Sequence, residues 1–229
     1  MELYGQESKS IPQKVIIHLT EILFIWLSYW ILFQQGGAWC YRYLHIYNAM
    51  GSEDRRVIIF AFNVIIFFRL AYMMFFILKR KIPWGESLNI PLAFALYFVG
   101  YPLFVLPIAK PIDGIDYFGI ALFITGCILN SGGEILRDRW KKDPTNKGKI
   151  YTLGFFKYSM HINYFGDLLW VTAYAIITRN LYSVSIPIFL FSFFAFYNIP
   201  KLDKYLYGKY GKGFEDYAQR TKKFIPFVY

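Results

Sequence analysis

Asn130, Glu134, Arg137 and Lys141 follow one another at intervals of four, three and four residues. On an α-helix that spacing sets an amide, an acid and two cations on one face. A carboxylate and an amide there can hold sugar hydroxyls, while the cations meet a phosphate. The same charges also suit a solvated helix end, with ion pairs from Glu134 to Arg139 or from Asp138 to Lys142. Spacing leaves both readings open. The loop that follows, Asp143-Pro144-Thr145-Asn146-Lys147-Gly148-Lys149, has turn residues and two lysines. It suits a phosphate clasp or an ordinary exposed turn. A third cluster, Met160-His161-Ile162-Asn163-Tyr164-Phe165-Gly166-Asp167, places His161, Asn163 and Asp167 directly before an apolar stretch. Asn and Asp are common helix caps, but a cap accounts for one of these residues and not for the run. Two further ionisable groups, Glu21 and Arg69, lie inside apolar stretches, where a charge marks a functional site or a structural ion pair.

The elements that must carry these residues are membrane helices. The 229 residues are 56% hydrophobic, 22% aromatic and 17% charged, well to the apolar side of a soluble domain. Stretches 15–33, 57–78, 88–109 and 115–132 are each long and apolar enough to cross a bilayer. Stretches 165–178 and 181–199 form a tighter pair joined by Arg179-Asn180, and residues 39–47 read as an interfacial segment. The expectation is an all-α polytopic bundle of about six spans forming one membrane domain. It divides into anchoring spans (residues 1–129) and a polar half (130–229) that ends in a cytosolic cap of loop and tail. The polar start of the chain lacks the build of a cleaved leader, so the first span is expected to persist.

Net charge is +10, and its distribution orients the bundle. Lys9 and Lys14, Lys79 to Lys81, the run from Arg137 to Lys157 and the tail lysines all fall on one side. The opposite side holds Arg42, Arg55, Arg56, Lys110 and Arg179. The excess predicts a multi-pass integral protein of a bacterial inner membrane or endoplasmic reticulum, with both termini cytosolic. Its basicity points to membrane lipids or a polyanionic cofactor instead of nucleic acid. Cys40 and Cys127 are far apart and form no CxxC, so neither a metal site nor a disulfide framework is expected. There is no GxGxxG or Walker-type loop.

Taken in order along the chain, these motifs resemble the steroid 5α-reductase and sterol C14-reductase superfamily. MHINYFGD is similar to a basic-His-Pro-Asn-Tyr-x-Gly-Asp run of sterol C14-reductases, and KYGKGFEDY and IPFVY resemble their closing segments. Asn130, Glu134, Arg137 and Lys141, with Arg69 and the turn Lys79-Arg80-Lys81-Ile82-Pro83, resemble 5α-reductase patterns. The resemblance implies an NADPH-dependent reductase of a carbon–carbon double bond in a lipophilic substrate taken from the bilayer. By carry-over, Arg69, Arg80, Asn130, Glu134, Arg137, Lys141, Asn163, Asp167 and Tyr210 line the dinucleotide site, with His161 and Tyr164 beside it. The chain departs from the pattern at Met160, where relatives are basic, at Ile162 for their proline, and at Ile66, where 5α-reductases place a catalytic tyrosine. Tyr72 and Glu21 are the substitutes that chemistry suggests for proton delivery, alongside Tyr164. Two alternatives stand beside the reductase. One is an S-adenosylmethionine-dependent methyltransferase of the isoprenylcysteine carboxyl type, and the other is a lipid-binding membrane protein without activity.

Overall fold

The computed structural model describes residues 6–43 and 51–229; the second half of the expected interfacial segment, from residue 44, lies outside the described residues. Among the described residues, eight helices carry the architecture. They are α1 (Ile11–Phe33), α2 (Gly36–Tyr43), α3 (Glu53–Ile77), α4 (Trp84–Val105), α5 (Gly114–Lys141), α6 (Ile162–Thr178), α7 (Leu181–Tyr210) and α8 (Lys212–Arg220). Among the described residues, α1, α3, α4, α5 and α7 are long and apolar enough to cross a membrane. The protein is an all-α polytopic membrane bundle.

The sixth expected span, α6, has 17 residues. Its Trp170, Val171, Ala173, Tyr174 and Ile177 are almost wholly buried, so it is a core helix and needs no full bilayer length. The five long helices instead expose Leu19, Trp26, Phe68, Leu92 and Phe189, the side chains that a hydrocarbon solvent accepts. α5 and α7 run past the expected ends at residues 132 and 199, because their charged last turns continue the helix beyond the apolar window.

The chain forms two compact units. The first comprises Met1–Ile120 and Thr172–Ile186, and the second comprises Ala121–Val171 and Pro187–Tyr229. In the first, α1 packs on α3 and α4, and Ile17, Met74 and Ile82 form an apolar cluster. Polar side chains link its helices from within. Tyr174 donates to Asn63 Oδ1 (2.9 Å), and Asn63 donates to Ser28 Oγ (2.8 Å). Inside an apolar core such bonds satisfy these hydroxyl and amide groups and tie the helices together. At one end Arg55, fully buried, donates to both carboxylate oxygens of Asp116 (2.7 and 2.8 Å) and to the carbonyls of Lys110, Pro111 and Ile177. Arg179, in the left-handed turn after α6, pairs with Asp113 and Asp116. The far-side cations Arg55 and Arg179 are therefore parts of a buried clasp.

The second unit is built where α5 and α6 cross at two glycines. A Cβ on Gly126 would stand 2.6 Å from the Gly166 carbonyl oxygen, and one on Gly166 would stand 2.6 Å from the Asn130 nitrogen. Only glycine lets the backbones approach so closely. Among the described residues, clusters around Tyr151, Phe156 and Ile162, around Met160, Phe214 and Tyr217, and around Phe194, Ile199 and Phe224 hold the rest of this unit.

Candidate functional site

The helical stripe on α5 is interrupted by one wide, π-type turn at Ile128–Gly132. Such turns add a residue to the helix and re-aim the side chains around it, often at functional sites. Here Asn130 lies inside the turn, directly above the glycine crossing, and its amide donates to the Asn163 carbonyl (3.1 Å). The Asn163 amide donates in turn to Glu134 Oε1 (3.0 Å), and Glu134 Oε2 receives the Arg137 guanidinium. Arg137 also lies over the Phe156 ring, with its guanidinium carbon 5.5 Å from the centroid. Asn130, Glu134 and Arg137 of the expected face are thus joined in one bonded set by Asn163.

Asp138 pairs with Lys142 (2.8 Å), as the solvated-end reading expects, but Glu134 turns to Arg137 and not to Arg139. Lys141 is exposed at the end of α5. The loop after it is a self-contained turn. Asp143 accepts from the Thr145 N–H (2.9 Å) and hydroxyl (2.8 Å), and the N–H bond leads in holding its carboxyl below the usual range.

His161, 1% exposed, meets Asp203 Oδ1 through Nε2 (2.7 Å), and Lys223 Nζ lies 3.7 Å from the other Asp203 oxygen. The tail seals this motif. Met160 and His161 N–H groups donate to the carbonyls of Lys222 (2.8 Å) and Lys223 (3.1 Å), and the Ser159 hydroxyl donates to the Phe224 carbonyl (2.8 Å). Tyr164 stacks between His161 (5.7 Å) and Phe194 (4.6 Å). Asp167 accepts from the Trp170 indole (2.7 Å). Met160 is buried against Phe214 and Tyr217, with Tyr210 at the edge of that cluster. An apolar seat replaces the basic residue of the motif, where a cation would stand unpaired. Ile162 likewise packs into an aromatic cluster. The Tyr217 hydroxyl donates to the Phe156 carbonyl (2.5 Å), and burial pushes the phenol's pKa up.

Four expected residues belong to the first unit. Arg80 is held by Glu86 through two bonds (3.1 and 2.7 Å). Arg69 is half-buried on α3, and Ile66, in the place of the tyrosine, is fully buried. Tyr72 is 46% exposed and stacks on Phe76, whereas Glu21 is wholly buried. The two expected proton donors therefore occupy different environments. Among the described residues neither Glu21 oxygen has a hydrogen-bond partner, and His18 Nε2 is 3.9 Å away.

The residues that sequence reasoning missed are Asp203, Lys223, Trp170 and Tyr217. Asp203 stands among the tail lysines, but nothing local ties it to a histidine 42 residues earlier. Chemically, the second unit gathers carboxylate, amide, guanidinium and imidazole groups at the start of a buried helix. That set can hold hydroxyls and phosphate together.

Residues 87–221, more than half of the chain, match the family described as "Protein of unknown function (DUF1295)". The chain is 30% identical over 112 residues to 3-oxo-5-alpha-steroid 4-dehydrogenase 2 of Rattus norvegicus, covering 49% of this chain and 42% of that protein. It is 35% identical over 88 residues to the probable O-methyltransferase ustE of Ustilaginoidea virens, covering 38% and 31%. It is also 28% identical over 120 residues to protein-S-isoprenylcysteine O-methyltransferase B of Arabidopsis thaliana, covering 50% and 60%. The chain thus spans less than two thirds of each of these relatives. The family match covers the residues of the bonded set, and the chain belongs to the DUF1295 family, a steroid 5-alpha-reductase-like family of membrane proteins.

Proposed function

We propose that the protein is a membrane-embedded reductase that uses NADPH to reduce a carbon–carbon double bond in a lipophilic substrate. The observation that carries this is the bonded set Asn130, Asn163, Glu134 and Arg137, with His161 beside it on the same motif. The donor chemistry fits a phosphorylated dinucleotide. Glu134 and the two amides suit ribose hydroxyls, and Arg137, partly exposed and already aimed by Glu134, suits a phosphate. Lys141 adds a second cation at the end of the same helix. When bound, the nicotinamide would supply a hydride. The chain's own part is to orient the cofactor through these groups, to exclude water and to deliver a proton. Within the first unit, the buried Glu21 carboxyl beside His18 has the chemistry of a proton donor. Arg80, engaged by Glu86, is the least suited of the expected phosphate ligands.

Likeness to two O-methyltransferases favours one second reading, a methyl transfer from S-adenosylmethionine. That cofactor carries no phosphate, so one experiment separates the two. Thermal stabilisation of the detergent-purified protein is measured with NADPH, NADH and S-adenosylmethionine. A ligand of the folded state at a hundredfold excess over its Kd adds about 3 kcal/mol. Stabilisation by NADPH, reduced in Arg137→Ala more than that by NADH, supports the reductase and assigns Arg137 to the 2′-phosphate. Stabilisation by S-adenosylmethionine alone overturns it, and a response to neither moves the lipid-binding alternative ahead.

A further inference from the structure

Apart from the polar network, the first unit contains a cavity of about 530 Å³. It lies where the segment before α1 meets the end of α3. That segment is pinned in place. Ser8 N–H donates to the Lys79 carbonyl (3.1 Å), Lys81 N–H to the Gln6 carbonyl (2.8 Å), and Ile82 N–H to Ser10 Oγ (3.0 Å). Among the described residues, Lys9, Lys14 and Lys79 line the cavity together with the carboxylate of Glu7, and Phe75 and Phe76 form an aromatic wall.

Lys14 is the telling residue. It is 2% exposed, and its ammonium donates to the Leu78 carbonyl (3.0 Å). Among the described residues that carbonyl is its only bonded partner, and no carboxylate forms an ion pair with it. An ammonium has three donors, and a cation taken out of water needs a counter-charge. The start of α1 adds to the same field. Ser10 spends its hydroxyl on Ile82 and gives α1 no side-chain cap, so the positive end of a 23-residue helix opens beside Ile11 in the cavity wall. Cations and a helix start face inward. Phe76 is 71% exposed and Phe75 39% exposed, as suits rings in contact with acyl chains.

We propose that this cavity binds the phosphate of an anionic phospholipid, with Lys14 at its base, Lys9 and Lys79 at its rim and the acyl chains along Phe75 and Phe76. The charge of the lining selects an anionic over a zwitterionic headgroup, and the aromatic wall selects a lipid over a soluble phosphate. Each rim lysine contributes roughly fivefold to affinity, the equivalent of about 1 kcal/mol near a membrane surface.

The test uses delipidated protein in detergent, without nucleotide, so it stands apart from the reductase reading. Thermal stability is recorded with phosphatidylglycerol, phosphatidylcholine and inorganic phosphate, for the native chain, for Lys14→Met and for the double variant Lys9→Gln, Lys79→Gln. Phosphatidylglycerol should raise the Tm of the native chain and act at least tenfold more weakly on the double variant. Because Lys9 and Lys79 are exposed, that variant keeps the test decisive even if Lys14→Met does not fold. Equal responses to phosphatidylcholine and phosphatidylglycerol, or a double variant that responds like the native chain, overturn the proposal. A shift with inorganic phosphate and none with lipid overturns it in favour of a soluble phosphate ligand.

Discussion

His161 and Tyr217 show how a few side chains hold the polar site shut. Asp203→Ala removes the acceptor of a histidine that is 1% exposed and leaves Lys223 without its carboxylate. Stranding a buried polar group costs about 1–3 kcal/mol. The expected outcome is a loss of that size in thermal unfolding, with faster proteolysis after Lys222 and Lys223, since these residues lose their anchor beside His161. An unchanged digestion rate would mean that the backbone bonds from Met160 and His161 hold the tail alone. Tyr217→Phe tests the neighbouring bond to the Phe156 carbonyl in the same way. Its sign with pH is fixed by burial, which raises the folded phenol's pKa above the unfolded value of about 10. The stabilisation is therefore complete below pH ~10 and is lost as pH climbs toward the folded value. The native chain should lose more stability than Tyr217→Phe between pH 9 and 11, measured by denaturation at each pH.

At the scale of elements, the glycine crossing explains why the motif Asn-Tyr-x-Gly-Asp contains a glycine at all. Gly166→Ala places a methyl 2.6 Å from the Asn130 nitrogen and 2.7 Å from the Gly126 carbonyl oxygen, both backbone atoms that cannot swing aside. Overpacking of this kind costs about 1–3 kcal/mol, more than the ~1 kcal/mol that alanine returns in helix propensity. The variant should be less stable and should lose stabilisation by NADPH, if NADPH is the ligand, because Asn130 and Asn163 move apart; full ligand response would show that the crossing is structural only. The buried clasp at the other helix ends makes a separate prediction. Asp116→Asn leaves Arg55, fully buried, without its carboxylate, and breaking a buried pair costs about 3–5 kcal/mol. A loss under 1 kcal/mol in chemical unfolding would show that the three carbonyls around Arg55 suffice. These elements differ in how far the sequence discloses them. Hydropathy locates the long spans, because lipid selects apolar residues in unbroken runs. Helical spacing locates the stripe from Asn130 to Arg137, because those contacts are local. Asp203 beside His161, Asp116 beside Arg55 and the tail's return to Met160 join residues 42 or more positions apart, and no periodicity encodes such pairings. The π-type turn at Asn130 is equally silent in sequence, since an extra residue in a helix leaves no compositional trace.

The whole molecule must also choose a side of the membrane, and its charges make that choice. The segments after α3 and α5, the charged C-terminal parts of α5 and α7, and the region from α8 to residue 229 together hold 17 of the 25 lysines and arginines. Arg55, Arg56, Lys110 and Arg179 belong to the opposite set. Several of these opposite cations do not count as loop charges. Arg55 is neutralised inside the protein by Asp116, and Arg179 by Asp113 and Asp116. The effective bias toward the lysine-rich side is therefore steeper than the raw sequence implies, and the rule of cytoplasmic positive charge predicts that this side, with the tail, faces the cytosol. A cytosolic network is also what a soluble dinucleotide requires, whereas a lipophilic substrate can arrive from the bilayer. The prediction is tested with Cys40 and Cys127 replaced by alanine and single cysteines introduced at Lys212 and at Lys110. In inside-out vesicles a membrane-impermeant maleimide should label the Lys212→Cys protein and spare Lys110→Cys, and in intact cells the pattern should reverse. Labelling of the tail cysteine from outside the cell would invert the bundle, put the network out of reach of cellular NADPH and refute the reductase assignment along with the topology.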